Sequence, residues 1–321
     1  MADLALQGGI FRPPVGATPP DVRAQRLRAA IGVSGRIQDS GPFHSSMTGQ
    51  RDVAFVPPVI AEFGHELMAV GYLRYLAPNY KRIVVSTRKS RHALYTDFVK
   101  EFMPHPFKCE CNIMSPKPGH APPPDQVAAF HMPDAQRVEL CQHTSRVPGK
   151  WVMYGKADKN YLGVTVIHAR SRNHVRARNW PVKRWNVLLA TLRDEGLIER
   201  VVCIGSPDAA VLVPGCEDAR GLPLAKQMNI LRSAEVAIGP SSGPMHLASM
   251  CGCPHVVWCG GPAQESGETS RRYAAAWNPF GTPASAARYA NWRPAPVRVA
   301  EWTRSFLKRI RAGEKPTEVL K

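Results

Sequence analysis

Three groups of residues in this chain have types and spacings that could do chemistry. The first is Gly239-Pro240-Ser241-Ser242-Gly243-Pro244-Met245-His246, set between two apolar runs. It reads as the end of a buried strand, a tight turn and the start of a helix, with Ser241 or Ser242 suited to the N-cap and Pro244 to the first turn. A helix that opens from such a turn presents unpaired N–H groups and a partial positive charge, which suits a phosphate. The ring of His246, one turn in, could donate to a phosphate oxygen. The second group is basic: six Lys and Arg lie from Arg170 to Arg184, and no Asp or Glu occurs from Lys159 to Arg193. Any one of these residues alone reads as solvated surface. Together, between a strand end and a helix start, they predict a positive wall, in which Arg offers bidentate contact and Lys a point charge. The third group is Glu62, His65 and Glu66 around Gly64, side chains able to take a proton. Glu66 also suits a second role, placing negative charge in the first turn of a helix.

The elements that must position these groups alternate. A strand at 53–57 leads into the 61–68 segment and an apolar helix through Leu76, and 82–86 is a second strand. Residues 95–102 look helical. Residues 104–133 hold eight prolines and read as mostly irregular, and the interdomain region is placed near 148–161. From Gly163 the rhythm is cleaner: strands at 164–168, 201–205, 235–239 and 255–259, and helices at 182–195, closed by Gly196, and at 224–233. This alternation predicts a parallel doubly wound sheet with ligands at the carboxyl ends of its strands. The turns His168-Ala169-Arg170-Ser171, Gly205-Ser206, Gly239 to Ser242 and Gly260-Gly261 all fall there. A basic amphipathic helix closes the chain at 299–311. Residues 1–50, rich in Gly, Pro, Ser and Arg, read as a flexible basic arm.

The order Gly-Pro-Ser-Ser-Gly-Pro-Met-His-Leu-Ala, followed by Gly252-Cys253-Pro254, resembles the signature of the nucleotide-binding domain of GT-B glycosyltransferases, especially the heptosyltransferase-like family. The resemblance covers about residues 160–262, and the N-terminal half only through the strand before Glu62. It implies an α/β chain of two Rossmann-like doubly wound domains facing a cleft. These are an acceptor domain over 51–155 and a nucleotide-sugar domain over 156–298, with residues 299–321 forming a helix that packs across the junction. It implies a nucleotide diphosphate sugar as co-substrate, held by Ser206, Ser241, Ser242, Gly243, Pro244, Met245 and His246. The stretch Arg178-Asn179-Trp180-Pro181-Val182-Lys183-Arg184-Trp185 resembles segments of the same family in which basic residues meet donor phosphates, and so implies Arg170, Arg178 and Lys183. The base is then expected in the other domain: Glu62 first, Glu66 second, His65 third. Glu265 and Glu268 are candidates for a ribose or sugar hydroxyl. The family often has Asp where this chain has Ser241, which removes any role of that carboxylate but not of the backbone N–H groups.

The expected reaction is therefore inverting sugar transfer to a hydroxyl without metal, since no Asp-x-Asp pair occurs. Cys109, Cys111, Cys141 and His143 could make up a Cys₃His zinc set, but their spacing is irregular and the region Pro-rich, and no metal is expected. Cys251 and Cys253 read as packing residues. The formal charge of +17 favours a polyanionic partner. Two acceptors stay open: a 5-hydroxymethylpyrimidine base in DNA, as in virus-encoded DNA glycosyltransferases, and a bacterial surface glycan or lipopolysaccharide. A non-catalytic nucleotide-sugar or nucleic-acid binding protein and an epimerase-like enzyme are the alternatives. The 321 residues, 44% of them hydrophobic, suffice for two ordinary domains. The eight Cys do not suggest a disulfide scaffold. No run approaches a bilayer span and residues 1–30 lack a leader pattern, so a cytoplasmic chain with at most peripheral membrane contact is expected.

Overall fold

The computed structural model describes residues 51–107, 124–140, 149–173, 176–260, 278–288 and 292–320. The expected arm over 1–50, the Cys109, Cys111, Cys141 and His143 set, and Glu265 and Glu268 lie outside them.

The chain forms two parallel sheets. The first is built from β1 (Arg51–Val56), β2 (Tyr80–Val85), β3 (Glu101–Phe102) and β4 (Gln136–Arg137), in the order β3-β2-β1-β4. Helix α1 (Phe63–Leu76) joins β1 to β2, and the short α2 (Pro124–Ala128) precedes β4. Leu67, Val70 and Leu73 of α1 bury against Ala54, Val56, Ile83 and Val85, so the helix covers one face of this sheet.

The second sheet contains β5 (Thr165–Ile167), β6 (Val201–Cys203), β7 (Glu217–Asp218), β8 (Val236–Pro240), β9 (His255–Cys259), β10 (Ala284–Arg288) and β11 (Thr317–Leu320). Their order is β11-β10-β9-β8-β5-β6-β7. Its helices are α3 (Val182–Asp194), α4 (Leu224–Ser233), α5 (Gly243–Met250) and α6 (Pro296–Arg311). Successive side chains of a strand point to opposite faces, and a sheet covered on both sides needs apolar residues at every position. That is why β6, β8 and β9 read as unbroken apolar runs. Val202, Ala237 and Val257 face one layer with Met228 and Leu231 of α4 and Leu247 of α5. Cys203, Ile238, Val256 and Trp258 face the other with Trp185 and Leu188 of α3 and Phe306 and Leu307 of α6. Trp180, Trp185 and Trp258 form an aromatic knot there, with ring centroids 4.9, 5.1 and 5.7 Å apart. Burying each such side chain contributes about 1.5–3 kcal/mol. Helix α6 packs on α3 and β9, and Arg311 pairs with Glu235 at 2.6 Å.

A strap over residues 149–156 runs between the sheets. The Lys150 N–H donates to the Gly71 carbonyl of α1 at 2.9 Å. The Tyr154 N–H donates to the Met250 carbonyl of α5 at 3.0 Å, and the Lys156 N–H to Asn229 Oδ1 of α4 at 2.9 Å. Buried Arg74 of α1 donates to Asp97 Oδ2 at 2.7 Å, to the Leu94 and Lys150 carbonyls at 3.2 Å each, and to the Tyr154 hydroxyl at 3.1 Å. Gly155 holds φ +79°, and a Cβ there would lie 2.4 Å from the Met228 carbonyl oxygen. Among the described residues no helix is long and apolar enough to cross a membrane.

The helical expectation for residues 95–102 is corrected. Phe98 and Val99 donate back to the Tyr95 carbonyl for a single turn, and Glu101 and Phe102 then pair with Val84 and Val85 as β3. Tyr95 and Asp97 are tied to Glu66 and Arg74, which stops the helix from extending.

Candidate functional site

The starts of α1 and α5 meet head to head. A Cβ on Gly64 would lie 3.1 Å from His246 Cδ2, and one on Gly243 would lie 2.7 Å from Phe63 Cδ1 and 3.1 Å from the Gly64 nitrogen. Glycine at both positions is what lets the two first turns approach. Each helix start carries a partial positive charge, so their juxtaposition concentrates positive potential between the two sheets.

Ser242 is the N-cap residue of α5, but its side chain makes no capping hydrogen bond. Its hydroxyl instead lies 2.8 Å from Nδ1 of His168, the residue after β5. Ser242 thus takes the N-cap position expected of it or of Ser241, while a buried imidazole at the neighbouring strand end competes for its hydroxyl. Burial, helped by the charges of Arg170 and Arg172, pulls the His168 pKa down to about 3, so the ring is neutral. Ser241 is buried, and its N–H donates to the Trp258 carbonyl at 2.7 Å, closing β8 against β9. Pro244 and Met245 complete the first turn. His246 is buried; its pKa is driven well below the ordinary value by burial first and then by His65, His255 and Arg178.

The basic loop after β5 is braced by Asn179. Its Oδ1 accepts from the Arg170 guanidinium and, at 3.1 Å, from the Arg172 N–H; its Nδ2 donates to the Arg172 carbonyl at 2.8 Å. Arg178 lies over the Trp292 ring, 4.6 Å from its centroid, and Trp292 takes a left-handed φ of 58°. The Arg178 Nε is buried without a hydrogen-bond partner, and no ion pair is seen for it among the described residues. Burial lowers the Arg178 pKa, partly opposed by Glu62 and reinforced by Arg172. A guanidinium held out of water in this way favours an anion.

Glu62, the N-cap residue of α1, accepts from Arg172 Nη1 at 3.2 Å across the junction. Glu66 faces inward. Its Oε1 accepts from Thr87 at 2.6 Å and Tyr95 at 2.8 Å, and its Oε2 from Arg91 at 2.5 Å, so both oxygens are engaged. Arg91 also sits over the Phe63 ring at 5.1 Å, which ties this buried carboxylate to the helix start. His65 is half-buried in the same turn. The structure thus gathers Glu62, His65, Arg178, Gly243 and His246 around the paired helix starts. Arg170 is buried at the foot of the loop. Lys183 is exposed in the first turn of α3 and makes no ion pair among the described residues, and Ser206 is exposed after β6, its carbonyl accepting from Ala209 and Ala210. His168, Arg172, Asn179 and Trp292 were not assigned roles from the sequence. The placing of Asn179 just before Trp180-Pro181, in a loop dense with arginine, is the one signal that could have marked the brace.

The fold as a whole is similar to that of solved structures. The chain is similar to E. coli ADP-heptose LPS heptosyltransferase II over 82% of its own length and 100% of that chain, at 13% identity and a TM-score of 0.52. A glycosyl transferase family 9 structure from Veillonella parvula DSM 2008 matches 83% of this chain and 99% of its own, at 11% identity and a TM-score of 0.53. E. coli heptosyltransferase WaaC with ADP matches 79% and 99%, at 11% identity and a TM-score of 0.50. The fold is that of the GT-B glycosyltransferases. No family model matches the sequence, and no curated protein matches it either. In this GT-B fold the paired helix starts lie at the carboxyl ends of β1 and β8, the side of a parallel sheet where ligands bind.

Proposed function

We propose that the protein is a glycosyltransferase that moves a sugar from a nucleoside diphosphate sugar to an acceptor hydroxyl, with inversion and without metal. The observation that carries this reading is the desolvated Arg178, its Nε without an acceptor, within electrostatic reach of His246 on α5 and of Glu62 on α1. The acceptor oxygen attacks the anomeric carbon and its proton passes to Glu62. The bond from that carbon to the phosphate oxygen breaks, and the electron pair leaves with the diphosphate. The helix starts, Arg178 and the Arg170 loop stabilise the growing charge. Glu62 is preferred to Glu66 as base because both Glu66 oxygens already accept hydrogen bonds. Ser241 and Ser242 supply backbone, and Lys183 and Ser206 stand at the margin of the donor site.

The names of the similar structures supply an ADP-sugar donor and a lipopolysaccharide acceptor as one pair to try. The charge of +17 supports a polyanionic acceptor, and DNA bearing 5-hydroxymethylpyrimidines is the other. The test is a thermal-shift screen with UDP-, GDP-, ADP-, CMP- and TDP-sugars, with and without magnesium. One donor should raise the melting temperature equally in EDTA, and Arg178→Gln should weaken its binding about tenfold, the loss of one charged hydrogen bond. No shift with any donor would overturn the reading.

A further inference from the structure

We propose that Arg172 is shared between Glu62 and the donor diphosphate, so that arrival of the donor releases the carboxylate that takes the acceptor proton. This rests on the glycosyltransferase reading above. The Glu62–Arg172 pair joins residues 110 positions apart, one at the start of α1 and the other in the loop after β5. Neither end is a loose surface group: their side chains are 22% and 20% exposed. The main chain of Arg172 is held on both sides by the Asn179 amide, so the guanidinium starts from a fixed base. The Glu62 carbonyl accepts the N–H groups of His65 and Glu66 at 3.0 and 3.1 Å, which fixes its main chain at the helix end.

The pair is a single contact of 3.2 Å, Nη1 to Oε1, not a two-pronged one. Such a pair is weak beside the two-pronged contact a phosphate can accept, and a diphosphate carries more charge than a carboxylate. Arg178 and the α5 start lie on the same side and hold the diphosphate close to Arg172. A carboxylate whose oxygen already accepts a charged hydrogen bond is a poor base. Exchange of Arg172 from Glu62 to phosphate therefore turns Glu62 into a base only when the donor is loaded, and imposes the order donor first, acceptor second. Arg172 acts as a ligand of the donor and as the gate on the base.

The test is a double-mutant cycle on binding, read by calorimetry with UDP, GDP and ADP, which needs no acceptor. If Arg172 must leave Glu62 to reach the diphosphate, Glu62→Gln removes the competitor and tightens binding about threefold, the worth of a partly exposed ion pair. Arg172→Gln weakens binding about tenfold. In the double variant the gain from Glu62→Gln disappears, and affinity equals that of Arg172→Gln alone. Arg172→Lys, which keeps the charge but not the fork, falls between. A gain from Glu62→Gln that persists undiminished in the Arg172→Gln background would be simple charge removal and would overturn the exchange, as would no gain at all. If the unaltered protein binds none of these nucleotides, nor CMP or TDP, on which the cycle would otherwise be run, the glycosyltransferase reading itself fails, which is a distinct result.

Discussion

His168, His246 and His255 are all buried in the second half of the chain, and burial depresses the pKa of each, that of His168 to about 3 and that of His255 to about 4. The unfolded chain binds protons on these rings below about pH 6.5, whereas the folded chain does not until far lower. Stability is thus intact at neutral pH and falls as the pH drops from 6.5 toward 4, by on the order of 1 kcal/mol for each ring by pH 5.5. Urea unfolding at pH 7.5, 6.5 and 5.5 checks this. His92 and His105 are lowered in the same sense, so His168→Asn, which cannot be protonated, should remove only its own share of the slope, and a slope unchanged by that substitution would remove His168 from the account. The neutral ring holds the Ser242 hydroxyl without adding a charge beside the start of α5.

At the scale of elements, α1 is anchored at both ends, by Glu66 within its first turn and by Arg74 near its last. Arg74→Ala removes the donor to Asp97, the Tyr154 hydroxyl and the Lys150 carbonyl, leaving the Leu94 carbonyl only the Tyr154 hydroxyl, and should cost about 3 kcal/mol in urea unfolding. How far each element was legible follows from how it is buried. Strands β5, β6, β8 and β9 and helices α3 and α4 were readable because a sheet covered on both faces writes long apolar runs and its helices write a 3.6-residue stripe. Two-residue strands such as β3, β4 and β7 leave no period to read. Strand β10, Ala-Ser-Ala-Ala-Arg, has almost no side chain by which to show itself, and is defined by its pairing with β9 and β11. The candidate site was legible where the backbone makes it, at Gly243 and Pro244. It was not legible where side chains far apart in the chain make it, as with Arg172 and Glu62 or with Glu66 and Thr87, Arg91 and Tyr95.

At the scale of the whole molecule, the charge of +17 is an excess that the internal ion pairs do not consume. Each of the ion pairs seen uses one cation and one anion, so Lys and Arg remain in surplus over the surface. If the acceptor is DNA, duplex should be retained at 50 mM salt and lost by about 200 mM, with affinity falling by on the order of a thousandfold or more over that range. A filter-binding titration checks this, and absence of retention at the low end would leave the surface-glycan acceptor as the reading to pursue.

The strap over 149–156 gives this assembly its mechanics. Fastened to α1 by Lys150 and Tyr154, and to α4 and α5 by Tyr154 and Lys156, it ties helices of both sheets to one short stretch of backbone. Within it Gly155 lies pressed against the Met228 carbonyl with no room for a methyl group. Any side chain there would push the strap off α4 and strain the fastenings that tie α1 to the second sheet.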